Sequence, residues 1–331
     1  MNKQVKEHIK RAINSNGVTK RIWSGAGRPA LLQYRKIRSR LAHRAELRRW
    51  DAGLASLSES GVLPEQAQRS PRLIVSLTSF PKRMHEVVYT VYSLLTQTMK
   101  PDIVCLWLSV EEFPHREADL PEQLLCLLQY GLTIKWCHNI RSYKKLIPAR
   151  SAWPEDIIIT VDDDILYPSD LIERLYRAHL QSPKDIIARR AHQISCQAGK
   201  ILPYTEWQHE IQPTDASYWN FQTGAGSVLY PPGVLHPDLT NESLFTSLCP
   251  MADDIWFWAM AVRAGTKIVV PTGYDGLVYT DPQEQVDGTN TLAAKNVTGG
   301  QNDVQLRAVL QKYPEILLKL RTEKPESDLI L

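Results

Sequence analysis

The run Ile157-Ile158-Ile159-Thr160-Val161-Asp162-Asp163-Asp164-Ile165-Leu166-Tyr167-Pro168 decides how this chain is read. Ile157–Val161 is β-branched throughout and almost wholly apolar, which fits a strand buried on both faces of a sheet. Three carboxylates follow at once. Open parallel sheets take ligands beyond the carboxyl ends of their strands, and that is where these side chains fall. Packed like charges resist ionising together unless a cation neutralises them. Hard carboxylate oxygens suit Mg2+ or Mn2+ holding a diphosphate. A solvated acidic turn leading into the next helix accounts for the same residues without a ligand.

Working outward, Leu73–Leu77, Ile103–Leu108 and Leu132–Trp136 are short apolar runs of the same kind, bounded by Pro, Asp or Ser. Helical patterns lie between them at Glu86–Leu95, Pro121–Gln129 and Lys144–Ala149. This βαβαβ alternation predicts an α/β fold with a mainly parallel sheet and covering helices. Beyond Asp164, Ser169 is placed to cap a helix through Leu180. The second half is less regular: an aromatic stretch at Tyr218–Phe221, an extended run at Ser227–Tyr230, an apolar helix at Ala252–Ala264 and an amphipathic helix at Asp303–Leu310 before Pro314.

The 331 residues carry 39 Lys and Arg against 36 Asp and Glu. The near balance conceals a division: residues 1–50 hold 14 basic and 2 acidic side chains, and the remainder 25 and 34. Residues 1–70 therefore read as a basic extension, helical at Lys3–Ile13 and Leu31–Leu47, with Ser58–Pro71 as a linker. Residues 71–331 read as one domain. The longest apolar runs fall far short of the ~18 residues that span a bilayer. No apolar segment of the secretory-signal type follows the first basic cluster. Cys105, Cys126, Cys137, Cys196 and Cys249 are odd in number and form no C-x-x-C pair, against a disulfide framework or zinc site. The expected location is cytoplasmic, peripheral on the inner face of a membrane if the basic residues 1–50 meet anionic lipid.

Four further segments carry chemistry-bearing residues. Thr78-Ser79-Phe80-Pro81-Lys82-Arg83 follows the first strand and offers hydroxyls and cations to a nucleotide, or is a polar turn. Arg141-Ser142-Tyr143-Lys144-Lys145 follows the third, where a tyrosine beside lysines suits base stacking and phosphate contact, or a solvated loop. The glycines of Thr223-Gly224-Ala225-Gly226 permit close approach of backbone to a ligand, or a tight turn. Met251-Ala252-Asp253-Asp254-Ile255-Trp256-Phe257-Trp258 opens a helix. Its acids suit proton abstraction and its indoles a sugar face, or the acids cap the helix and the indoles fill the core. P-loop, G-x-S-x-G and H-E-x-x-H patterns are absent.

Taken together, these five segments resemble the bacterial nucleotide-sugar glycosyltransferases of the GT-A fold that serve surface-polysaccharide assembly, over about residues 72–312. The resemblance implies a GT-A-like nucleotide-binding sandwich, with a nucleotide-sugar half at 71–165 and an acceptor half at 166–331, moving one sugar from a nucleoside-diphosphate donor, UDP-sugar favoured, to a glycan or lipid-linked acceptor. Asp162 and Asp164 match the outer positions of the family's D-x-D, which implies that Asp164 binds Mn2+ or Mg2+ with Asp162, and that Asp162 lies near the ribose or sugar. Donor contacts are expected from Thr78, Arg83, Tyr143, Lys144, Lys145, Asp162, Asp163, Gly224 and Gly226. Asp254, with Asp253 second, is the expected base, and Trp256 and Trp258 the acceptor platform. No histidine follows His236, so Asp281 or water is left to complete a metal shell. The Q-x-x-R-W signature of processive synthases is also missing, which fits addition of one sugar per encounter. Two rivals remain: a haloacid-dehalogenase-like phosphohydrolase with Asp162 as nucleophile, and a non-catalytic protein binding lipid or nucleic acid through residues 1–50, lipid being preferred and no nucleic-acid partner expected.

Overall fold

The computed structural model describes residues 48–273, 275–280, 296–297 and 299–323. The expected helices at Lys3–Ile13 and Leu31–Leu47 lie outside them. The chain divides into two compact units, Met1–Leu57 and Ser58–Leu331. Of the first, residues 48–55 are helical. The elements labelled below belong to the second.

Eight strands build the central sheet: β1 (Leu73–Thr78), β2 (Ile103–Ser109), β3 (Leu132–Cys137), β4 (Ile157–Thr160), β5 (Ile186–Ala188), β6 (Thr214–Ser217), β7 (Val228–Tyr230) and β8 (Ile268–Val270). Their order is β6-β8-β5-β7-β4-β1-β2-β3. β1 to β4 run parallel, as do β5 and β8, while β7 is antiparallel to both its neighbours and β6 to β8. The α/β class and the mainly parallel sheet of the GT-A-like expectation are what the chain forms. All four strands read from the sequence are present. β5, β6 and β8 were not anticipated, because runs of three or four residues carry too little periodicity to register.

The middle of the sheet is dry on both faces, while the edge strands β3 and β6 are largely half-exposed. Leu73, Ile74, Val75 and Leu77 of β1 and Ile158 and Ile159 of β4 have no exposed surface, each burial removing about 1.5–3 kcal/mol of apolar hydration cost. Carboxylates close the strand starts: Asp102 accepts the Leu73 amide at 2.7 Å, and Asp156 accepts that of Arg72 at 2.9 Å. Covering helices are α1 (Val87–Leu95), α2 (Glu122–Cys126), α3 (Ile147–Ala152), α4 (Leu171–Gln181), α5 (Glu242–Leu248), α6 (Asp253–Ala264), α7 (Gln301–Lys312) and α8 (Glu315–Glu323). The helix expected at Lys144–Ala149 is instead a 3-10 turn, Arg141–Lys145, followed by α3. Asp170 rather than Ser169 precedes α4.

α6 is apolar nearly all round, so it sits within the fold, packed by α7 and α8. Trp256 and Trp258 have no exposed surface, and their indole N–H groups donate to the carbonyls of Leu239 and Tyr218, both at 3.1 Å. That corrects the expectation of an acceptor platform: both rings are core, because a helix buried on every side leaves no aromatic face for a sugar.

Candidate functional site

Register explains why the acidic segments meet. Leu73 pairs with Ile157 and Ser76 with Thr160, so β1 runs two residues past the end of β4, and the loops after Thr78 and Val161 emerge at the same end of the sheet. β7 runs the other way between β4 and β5, with Val228 opposite Thr160. Its leading turn, Gly224–Gly226, is thereby delivered to the same end of the sheet. The start of α6 and the turn after β3 complete the cluster.

The three consecutive aspartates do different things. Asp163 turns inward: Ser79 Oγ donates to one carboxylate oxygen, Arg83 donates to the other at 2.8 Å, and Thr90 donates to its carbonyl at 2.9 Å. It welds the loop after β1 to the end of β4, which makes it a brace rather than the donor contact expected of it. Burial pushes its carboxyl up, opposed by Arg83 and Ser79. Asp162 is the more exposed of the other two, and Asp164 is nearly as enclosed as Asp163. The Asp162 amide donates to Tyr167 Oη at 2.9 Å, fixing the turn, and its side chain keeps 28% of its exposure. Asp164 Oδ2 meets Arg83 at 2.9 Å, and the Asp164 carbonyl accepts the Thr280 amide at 2.8 Å. Burial pushes its carboxyl up to about 7 against the pull of Arg83, with Asp162 and Asp163 adding to the rise.

Lys145 joins the two acidic groups. Its Nζ donates to Asp162 Oδ1 at 2.9 Å and lies 3.0 Å from Asp253 Oδ2. The second contact lacks hydrogen-bond direction and is ionic. Burial opposes the ammonium, but Asp162, Asp253 and Asp254 outweigh it and hold its pKa well above the usual lysine range. Asp254 accepts the Gly224 amide on both oxygens at 3.1 Å. Burial and the Asp253 charge push its carboxyl up to about 7, opposed by Lys145 and by the Gly224 amide.

The glycines have steric reasons. A Cβ on Gly224 would stand 2.4 Å from Lys145 Nζ and 3.1 Å from Asp254 Oδ1. One on Gly226 would stand 2.2 Å from Arg190 Cβ. The next residue, Ser227, has φ 82°, a left-handed conformation that few non-glycine residues adopt. Strained backbone of this kind concentrates at functional sites.

Other expected residues are spent elsewhere. Tyr143 is core: its ring stacks on Phe245 with centroids 4.2 Å apart, and its hydroxyl donates to the Cys249 carbonyl at 2.6 Å. It has no free face for a nucleobase. Lys144, also buried, is engaged by Glu112 at 2.7 Å. Thr78 is half-buried at the end of β1, its hydroxyl donating to the Trp107 carbonyl at 2.8 Å. Asp281 lies outside the described residues. Sequence reasoning passed over Ser79 and Tyr167, which position the aspartates. Both stand in segments already singled out, and their spacing from Asp163 and Asp162 across a strand end was the available signal.

Among the described residues, no group of three or more His, Cys, Asp or Glu side chains is arranged to hold a metal ion. Oδ2 of Asp162 and Oδ1 of Asp164 nevertheless accept no bond from another described residue, leaving two hard oxygen donors one residue apart. No helix among the described residues is long and apolar enough to cross a membrane.

No family model matches the chain, and neither does any curated protein. Solved structures do show partial likeness. A mannosyltransferase from Pyrobaculum calidifontis in complex with GDP-mannose and Mn2+ is 13% identical over 86% of this chain and 84% of its own, with a TM-score of 0.39. Residues 1–349 of S. aureus TarS are 12% identical over 77% and 73%, with a TM-score of 0.40. A 4-diphosphocytidyl-2C-methyl-D-erythritol synthase is 13% identical over 66% and 96%, with a TM-score of 0.39.

Proposed function

We propose that the chain is a metal-dependent glycosyltransferase that moves one sugar from a nucleoside-diphosphate donor, UDP-sugar favoured, to a glycan or lipid-linked acceptor in surface-polysaccharide assembly. The observation that carries the reading is the meeting of two acidic groups at the carboxyl ends of the parallel strands, bridged by Lys145: Asp162 of the D-x-D at 2.9 Å and Asp253 beside Asp254 at 3.0 Å. One group suits a cation-bound diphosphate and the other an acceptor hydroxyl, which is the division of labour that sugar transfer needs.

The carboxylates of Asp162 and Asp164 fit a hard divalent cation of the Mn2+ or Mg2+ kind, which takes one or two protein carboxylates and completes its shell with phosphate and water. Bound there, such an ion would neutralise the charge that gathers on the departing diphosphate. Arg83, already between Asp163 and Asp164, keeps those carboxylates from repelling each other. Asp254 is the preferred base for an inverting transfer. Its carboxyl sits near neutrality, where a base balances availability against strength, and the Gly224 amide fixes its aim. Asp253 is neutralised by Lys145 and serves better as a brace than as a proton acceptor. The phosphohydrolase alternative is not favoured, since the D-x-D ends the fourth strand rather than the first.

The test is a screen of nucleotide-sugars with Mn2+, following thermal shift and release of nucleoside diphosphate. A stabilising donor that yields diphosphate on addition of a glycan acceptor supports the reading. No response to any donor, or a phospho-aspartate trapped at Asp162, overturns it.

A further inference from the structure

We propose that Lys145 is a positioning residue whose ammonium, seated between Asp162 and Asp253, makes cation binding at the D-x-D conditional on the arrival of a diphosphate. The inference rests on the reading of Asp162 and Asp164 as the cation-holding pair.

The seat is built. Lys145 follows β3 through a 3-10 turn, and its side chain, 7% exposed, ends between the D-x-D and the first turn of α6. Its Nζ is 2.9 Å from Asp162 Oδ1 and 3.0 Å from Asp253 Oδ2. Gly224 makes the room, since a Cβ there would stand 2.4 Å from the nitrogen. Asp164 shares its charge with Arg83 at 2.9 Å in the same way. A bare divalent cation approaching these two aspartates meets carboxylates already compensated, with two protein cations beside them. Repulsion from those cations offsets much of the attraction. A diphosphate changes the balance, because its oxygens give Lys145 and Arg83 new anionic partners while completing the metal's shell. Cation and diphosphate then bind with positive coupling, reciprocal in size whichever arrives first. Lys145 also fixes Asp253, so the acceptor helix and the D-x-D are aligned before either ligand enters.

The experiment titrates Mn2+ against the full chain by electron paramagnetic resonance, alone and with UDP. Wild type should bind Mn2+ alone weakly and gain strongly on addition of UDP. Lys145→Met should bind Mn2+ alone about tenfold tighter or better and lose a comparable factor of coupling to UDP. Lys145→Arg, which keeps the charge, should stay near wild type. Gly224→Ala has no left-handed backbone to strain and should displace the ammonium, shifting Mn2+ affinity in the same direction as Lys145→Met. It therefore answers the question even if the methionine variant does not fold. Mn2+ binding to Lys145→Met or Gly224→Ala no tighter than to wild type overturns the proposal. A silent nucleotide-sugar screen beside altered Mn2+ binding would instead remove the glycosyltransferase reading and leave this role of Lys145 standing.

Discussion

Asp254 shows how much one carboxyl's surroundings decide. Its pKa rises from 3.8 to about 7 because burial and Asp253 disfavour its charge more than Lys145 and the Gly224 amide favour it. In the unfolded chain the proton leaves near the ordinary value, whereas the folded chain holds it until about 7. Between those limits the folded state binds more protons, so this group lowers stability as pH rises through that window. Asp254→Asn should therefore melt at a higher temperature than wild type at pH 8 in chelator, and the gap should close by about pH 4. A melting curve that moves equally at both pH values would mean the carboxyl titrates normally. The same variant should keep donor affinity within a few-fold but slow single-turnover transfer by about 10²–10⁴, the usual worth of a proton acceptor. Transfer at the wild-type rate would pass the role to Asp253, or to the donor's own phosphate in a retaining reaction. At the other acidic group, Asp164→Asn should abolish Mn2+-dependent binding of nucleoside diphosphate while leaving the fold intact. Asp162→Asn should impair it less uniformly, since Lys145 is released at the same time. Calorimetric titration reads both, and undiminished Mn2+-dependent affinity in Asp164→Asn would remove the metal assignment.

Elements carry the site to one place, and their legibility varied for physical reasons. β1, β2 and β4 declared themselves because strands buried on both faces are nearly unbroken apolar runs. The end of β4 declared itself because three carboxylates follow an apolar run at the end of a sheet where ligands bind. Aromatic residues misled. Tyr143, Trp256 and Trp258 have the composition of a ligand platform, yet each side chain is enclosed with its polar atom bonded to a backbone carbonyl. Nothing in local sequence separates those two fates, because the covering elements, α7 and α8 among them, come from much later in the chain. α8 was missed since Pro314 reads as a stop, whereas proline also suits the start of a helix, where its missing N–H is no loss. Two variants test this account. Trp258→Ala should cost about 3–5 kcal/mol of stability through a large cavity, measured by urea unfolding. A loss below about 1 kcal/mol would mean that the ring is not packed as described. Gly226→Ala should disturb the turn before β7 and weaken diphosphate binding, because its Cβ would meet the Arg190 side chain at 2.2 Å. Unchanged binding would show that the turn can yield without moving the site.

At the scale of the whole molecule, charge is the property that the sheet and its site leave unexplained. Residues 1–50 carry 14 basic and 2 acidic side chains, while the rest of the chain is acidic on balance. We propose that this charge block meets an anionic surface, where each Lys or Arg near anionic lipid contributes about 1 kcal/mol. A lipid-linked acceptor would present such a surface at the place where transfer happens. Deleting residues 1–50 should then weaken sedimentation with phosphatidylserine vesicles while leaving Mn2+-UDP affinity of the remaining chain unchanged, because every residue assigned to the site lies beyond Arg72. Attraction of this origin must also fade with salt, since screening at physiological ionic strength acts over about 8 Å. Vesicle binding should accordingly fall steeply between low and physiological salt in the full chain and be weak at both in the truncated one. Salt-insensitive binding, or loss of the folded second unit on deletion, would assign residues 1–50 a packing role instead.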